Sequence, residues 1–300
     1  MDAKTDFFLC GAPRAGTTSL YQWLNQHPGT FLPTLKEPQF FAGDLTVRSQ
    51  RPVRIESTTD YAELYHGANP NQRSGDGSTW YFLSPEAPRR IREHNPNANL
   101  IFILRDPADL VFSWHGLLLG HGGESLPFDE ALQAQTDRRA GKYLPERLIP
   151  LEGLFYEDLG KYATILKRFY AQFEPDQVLV LFYEDLQSEP EELYRRVLRF
   201  LDLDDGFVPN FSIENERPNQ REGWLKRWLN QPPAFIRRPL RRIVTPSIRT
   251  RLYQILWNAN QSHTEKPTMP ATIRAQLRQT WAKEIEELEL MTGRDLSSWR

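Results

Sequence analysis

Near its start the chain passes from a short apolar run, Phe7 to Cys10, directly into GAPRAGTT (Gly11 to Thr18). A helical pattern follows, with Leu20, Trp23 and Leu24 on one face. An all-apolar run this short fits a strand buried on both faces, which is the situation of a parallel sheet. Strand, glycine turn and helix in that order form a site for anions: the turn frees backbone N–H groups, and the helix N-terminus adds their partial positive charge. Thr17, Thr18 and Ser19 add hydroxyl donors in the first helical turn.

Two more runs repeat the pattern. Leu100 to Arg105 (LIFILR) precedes a helix through Leu110, Val111 and Trp114. Val178 to Tyr183 (VLVLFY) precedes a helix from Glu191 to Leu201. Strands alternating with helices imply βαβ units. The predicted fold is α/β, a P-loop NTPase-like three-layer sandwich with a mainly parallel central sheet. The chain closes with an amphipathic helix, Ile273 to Met291, stopped by Gly293. Three hundred residues suit one domain over 1–300, with residues 217–270 as a basic, lid-like segment inside it.

Charge narrows the partners. Lys and Arg total 37 against 39 Asp and Glu, a net −2, whereas a dedicated nucleic-acid binder is globally basic. Yet residues 217–251 hold ten basic residues and one acid, a local +9 that suits a polyanionic cofactor, an anionic acceptor or a membrane surface. A single cysteine, Cys10, excludes an internal disulfide framework. No apolar run reaches the roughly 18 residues of a membrane span, and no secretory leader is visible, so a cytoplasmic location is expected.

The turn itself limits the chemistry. A Walker A loop, GxxxxGK[ST], carries a lysine where this chain has Thr17, and the cation here comes earlier, at Arg14. A nucleoside-triphosphate enzyme uses that lysine and a carboxylate-supported Mg²⁺ on a highly charged γ-phosphoryl group. A less charged group, such as sulfuryl, requires neither. A kinase with a displaced lysine and a nucleotide-binding protein without catalysis both stay open on these residues alone.

GAPRAGTTSL at 11–20, KEPQFF at 36–41 and LRDPADLVFSW at 104–114 resemble the sulfotransferases that use 3′-phosphoadenylyl sulfate (PAPS). The resemblance is strongest to their carbohydrate branch, with the heparan sulfate enzymes and bacterial relatives. It extends in order through 77–91, 177–190 and 285–299. It implies sulfuryl transfer from PAPS to a hydroxyl or amine of a carbohydrate, lipid or metabolite, with no metal required. Arg14, Ala15, Gly16, Thr17, Thr18 and Ser19 match the loop for the 5′-phosphosulfate, and Arg105 and Ser113 match the pair for the 3′-phosphate. Glu37 matches the general base of the heparan sulfate branch. Arg14 stands where many relatives carry a catalytic lysine; a guanidinium stabilises charge but donates protons poorly. His115 and His121 follow the second motif, where relatives line the acceptor cleft. The Lys-Gly-Arg loop that relatives place before the final helix is missing, since the corresponding stretch reads HTEKPTMP.

Overall fold

The structure, a computed structural model, describes residues 5–47, 54–145, 150–211 and 268–300. The basic segment 217–251 and Lys266 lie outside the described residues. The described elements belong to one compact unit made of residues 1–212 and 269–300.

Five strands form one sheet, every pairing parallel: β1 (Phe7–Gly11), β2 (Thr30–Phe31), β3 (Arg73–Asp76), β4 (Asn99–Leu104) and β5 (Val178–Phe182), in the order β2-β3-β1-β4-β5. All five residues of β1 are buried, as the unbroken apolar run requires of a central parallel strand. The three apolar runs are the three strands β1, β4 and β5. β3 reads RSGD and carries no hydrophobic signal. It pairs with β1 because Gly75 lets Phe7 close in, to 2.2 Å from where a Cβ would stand, and because Asp76 is satisfied by buried hydroxyls.

Helices complete a three-layer α/β sandwich. On the N-terminal side α1 (Thr17–Leu24) follows β1, α2 (Thr58–Glu63) precedes β3, and α3 (Ala87–His94) leads into β4. The long α4 (Pro107–His121) follows β4, then α5 (Phe128–Gln133), α6 (Gln135–Arg139), α7 (Tyr156–Leu159) and α8 (Tyr162–Tyr170). After β5 come α9 (Tyr183–Ser188), α10 (Pro190–Phe200) and the closing α11 (Ala271–Thr292). Aromatic rings join the layers: Trp23 of α1 meets Tyr194 of α10 edge-on at 6.5 Å, and Phe102 of β4 meets Phe169 of α8 at 4.8 Å. α11 stops at Gly293, whose φ of 67° is the left-handed helix end that glycine allows.

The chain leaves β1 toward β2 and β3 on one side and later returns to β4 on the other. The order therefore reverses at β1, and in an open α/β sheet the crevice at such a reversal, beyond the strands' carboxyl ends, is where ligands bind.

Candidate active site

Three strand ends meet at that crevice. Beyond β1, the loop reaches α1 through Gly16, at φ 91° and ψ 8°. A Cβ there would sit 3.0 Å from a methyl of Leu186, so both backbone and space select glycine. No side chain caps α1, and Ser19 N–H donates back to the Gly16 carbonyl at 3.0 Å. Thr17 and Ser19 are buried, and Ala15 is fully inside the core, so Ala15 offers only its backbone. Arg14 is exposed at the loop's tip, also in the left-handed region at φ 65°.

Beyond β4, Asp106 caps α4 by accepting from Ala108 N–H at 2.8 Å, and Pro107 opens the helix. This turns the chain so that Arg105 and Ser113 both reach the loop after β1. Arg14 Nε donates to Ser113 Oγ at 3.0 Å, and Arg105 Nη1 points at the Arg14 carbonyl at 3.4 Å. Tyr162 Oη donates to the Arg105 carbonyl at 2.8 Å, and the Arg105 guanidinium lies 4.7 Å from the Tyr183 ring centre, at the end of β5. The two guanidiniums at this crevice create a local potential suited to an anion.

Beyond β3, Glu37 arrives on the loop after β2. Its Oε2 accepts from Thr79 N–H at 2.8 Å; its Oε1 accepts from Thr79 Oγ1 at 3.0 Å and from Lys36 Nζ at 2.8 Å. Its own N–H donates to the Gly77 carbonyl at 3.1 Å. Glu37 has φ 65° and Gln39 φ 57°; a non-glycine residue held there costs about 1–3 kcal/mol and is kept by what surrounds it. Of the five non-glycine residues with positive φ among the described residues, Arg14, Glu37 and Gln39 belong to these loops. Lys36 also approaches the Tyr21 ring of α1, 5.8 Å from its centre, which ties the acid's loop to the phosphate loop's helix. Gln39 is buried, and its Nε2 has no hydrogen-bond partner among the described residues.

Behind Glu37 lies Asp76, with no exposed surface. Tyr61 Oη and Tyr81 Oη donate to its Oδ2 at 2.9 and 2.7 Å, and Ser78 Oγ to its Oδ1 at 2.7 Å. Burial outweighs these hydrogen bonds and pushes its pKa up to about 6.

The histidines behave differently. His115 is buried, with Nε2 at 2.9 Å from the Leu126 carbonyl and its ring against Phe128 and Tyr156; burial lowers its pKa. It is packed beneath α4 rather than presented on the Ser113 face. The side chain of His121 lies outside what is described. Sequence reasoning passed over Thr79, Tyr162, Tyr183 and the Asp76–Ser78 pair. Tyr183 had a signal, since it ends a predicted strand as Arg105 does. Lone hydroxyls in polar loops have none.

A family model described as a sulfotransferase domain matches residues 4–227, about three quarters of the chain. The Mus musculus bifunctional heparan sulfate N-deacetylase/N-sulfotransferase 4 is 29% identical over 220 residues, covering 70% of this chain and 23% of that protein. The Homo sapiens N-deacetylase/N-sulfotransferase 1 is 29% identical over 216 residues, covering 67% and 22%. The chain thus spans less than a quarter of the length of these curated relatives. A sulfotransferase from Alicyclobacillus acidocaldarius superposes with a TM-score of 0.74 over 99% of both chains at 24% identity, a likeness of fold. With the family model covering most of the chain, and the strand, loop and helix that it spans now described, this protein belongs to the sulfotransferase domain family.

Proposed function

We propose that this protein transfers a sulfuryl group from PAPS to a hydroxyl or amine, by in-line displacement with Glu37 as general base. The observation that carries the proposal is the pairing, at one sheet edge, of two cations and a hydroxyl (Arg14, Arg105, Ser113) with a carboxylate fixed across β1 (Glu37). A cofactor with phosphate at both ends of a ribose fits this division. The uncapped first turn of α1 suits the 5′ end, and Arg105 with Ser113 suits the 3′-phosphate.

PAPS, when bound, supplies the sulfuryl group and leaves as adenosine 3′,5′-bisphosphate. Glu37 takes the acceptor's proton as the acceptor's oxygen or nitrogen bonds to sulfur. The sulfur–oxygen bond to the phosphate breaks, and its electron pair goes to the phosphate oxygen. Arg14 and the α1 N-terminus stabilise the charge that gathers there. Because an arginine keeps its proton, Arg14 acts by charge alone. The heparan sulfate relatives favour an amine or hydroxyl of a carbohydrate as the acceptor, and residues 1–300 are read as one sulfotransferase domain.

Calorimetry tests the cofactor half: adenosine 3′,5′-bisphosphate is titrated without metal, beside adenosine 5′-monophosphate and Mg²⁺–ATP. Bisphosphate binding lost in Arg105→Ala supports the reading. Binding of Mg²⁺–ATP alone sinks it.

A further inference from the structure

Residues 76–79 hold the Glu37 loop one group at a time. The Gly77 carbonyl accepts from Glu37 N–H, Ser78 Oγ accepts from Gln39 N–H at 3.0 Å, and Thr79 binds the Glu37 carboxylate through N–H and hydroxyl. Ser78 in turn donates to Asp76, which stands at the centre of the grip. The two phenols that donate to Asp76 also seat the next two residues of the loop: Phe40 stacks on Tyr61 at 4.5 Å and 14°, while Phe41 lies edge-on to Tyr61 at 5.2 Å and to Tyr81 at 5.8 Å. Glu37 and Gln39 both have left-handed backbone, a conformation that persists only where the surroundings over-determine it.

We propose that Asp76, acting through Ser78, is the positioning residue that holds the base-bearing loop in its left-handed shape; the catalytic meaning of this rests on Glu37 being the base. An ionised Asp76 accepts three hydroxyl hydrogens at once. A protonated Asp76 adds a donor of its own, whose hydrogen competes with the three hydroxyl hydrogens for the same positions. The loop is then gripped at neutral pH and loosened as pH falls through about 6.

The titratable groups facing Asp76 are Tyr61 from α2, Tyr65 from the turn after it, Tyr81, Tyr21 from α1, Cys10 from β1, and Glu37. Burial first, and the Asp76 charge second, push the four phenols and the thiol up, so none of these five titrates in the same range.

Ser78→Ala removes the link with little change of volume, and amide hydrogen exchange reads the loop directly. The expected result is exchange at Gln39 and Glu37 about tenfold faster than in the parent, with the α1 amides and adenosine 3′,5′-bisphosphate affinity unchanged. In the parent, the same two amides, corrected for intrinsic rates, lose protection between pH 7 and pH 5. In Ser78→Ala that pH response is absent, and Ser78→Thr restores it. Equal protection of the loop in parent and Ser78→Ala overturns the proposal, as does a loop indifferent to pH. Glu37→Gln tests the base separately: if sulfuryl transfer from PAPS to a de-N-sulfated heparan oligosaccharide survives it undiminished, the base assignment fails, while exchange still decides the grip.

Discussion

The cationic half of the site and the acidic half are built by opposite means. Arg14, Arg105 and Ser113 are side chains on a loop, a strand end and a helix face, partly or fully open to solvent, and Arg14 bonds to both of the others. Glu37 is held by backbone as much as by side chain, on a loop of unfavourable φ anchored to a fully buried carboxylate. The contrast follows from the tasks assigned to each half. An anion arriving from water is met by flexible, solvated cations, whose long side chains bend to it. A base must stand where the acceptor's proton will be, so its position is set by groups that cannot move.

The comparison breaks most sharply on activity. Glu37→Gln should lower kcat by about 10²- to 10⁴-fold, the usual contribution of a positioned base. Bisphosphate affinity should be unchanged, because Glu37 bonds to Lys36 and Thr79 and to none of Arg14, Arg105 and Ser113 in the hydrogen bonds seen here. A calorimetric and steady-state pair of measurements checks both halves, and a parallel loss of affinity would show that the two are not separate.

A second test reads stability against pH. Asp76 has a folded pKa near 6, above the roughly 3.9 of a free carboxyl. The folded state therefore binds the proton more tightly. The contribution of this group favours folding below about pH 4 and is lost as pH rises through about 6. The shift corresponds to about 3 kcal/mol. Denaturant unfolding of the parent against Asp76→Asn from pH 4 to 7 should show that slope in the parent and its absence in the variant. A parent as flat as the variant would remove the carboxylate from the acidic half's design.

Arg105→Ala should weaken bisphosphate binding by about 10- to 100-fold, as expected for a charge-assisted contact, and leave the pH dependence of stability untouched. Ser113→Ala is the smallest change: a few-fold loss of affinity for one neutral donor, about 1 kcal/mol, read in the same titration. An effect as large as that of Arg105→Ala would mean that Ser113 acts by holding Arg14, its partner at 3.0 Å.

Legibility followed the same division. Arg105 and Ser113 were named by the family resemblance of LRDPADLVFSW, and the structure brings both to the loop after β1. Arg14 and Gly16 were readable from a loop whose order admits few conformations. β3 was not, because RSGD carries no alternation and its burial comes from Phe7 and Tyr61, earlier segments of the chain, and from Tyr81 just beyond the next turn. His115 suggested an acceptor cleft by its position after Ser113. One residue of offset on a helix turns a side chain about 100°, and two carried it away from the Ser113 side to Leu126, Phe128 and Tyr156.

The amino-acid order alone determined the parallel α/β architecture and the glycine turn between β1 and α1, because each depends on periodicity and local backbone preference within a short stretch. Tertiary structure alone decided which hydroxyls and which buried carboxylate hold Glu37, how Tyr183 and Tyr162 flank Arg105, and where His115 points. These depend on contacts between segments tens of residues apart, and the free energy of burying a polar group is set by neighbours that a linear pattern does not contain.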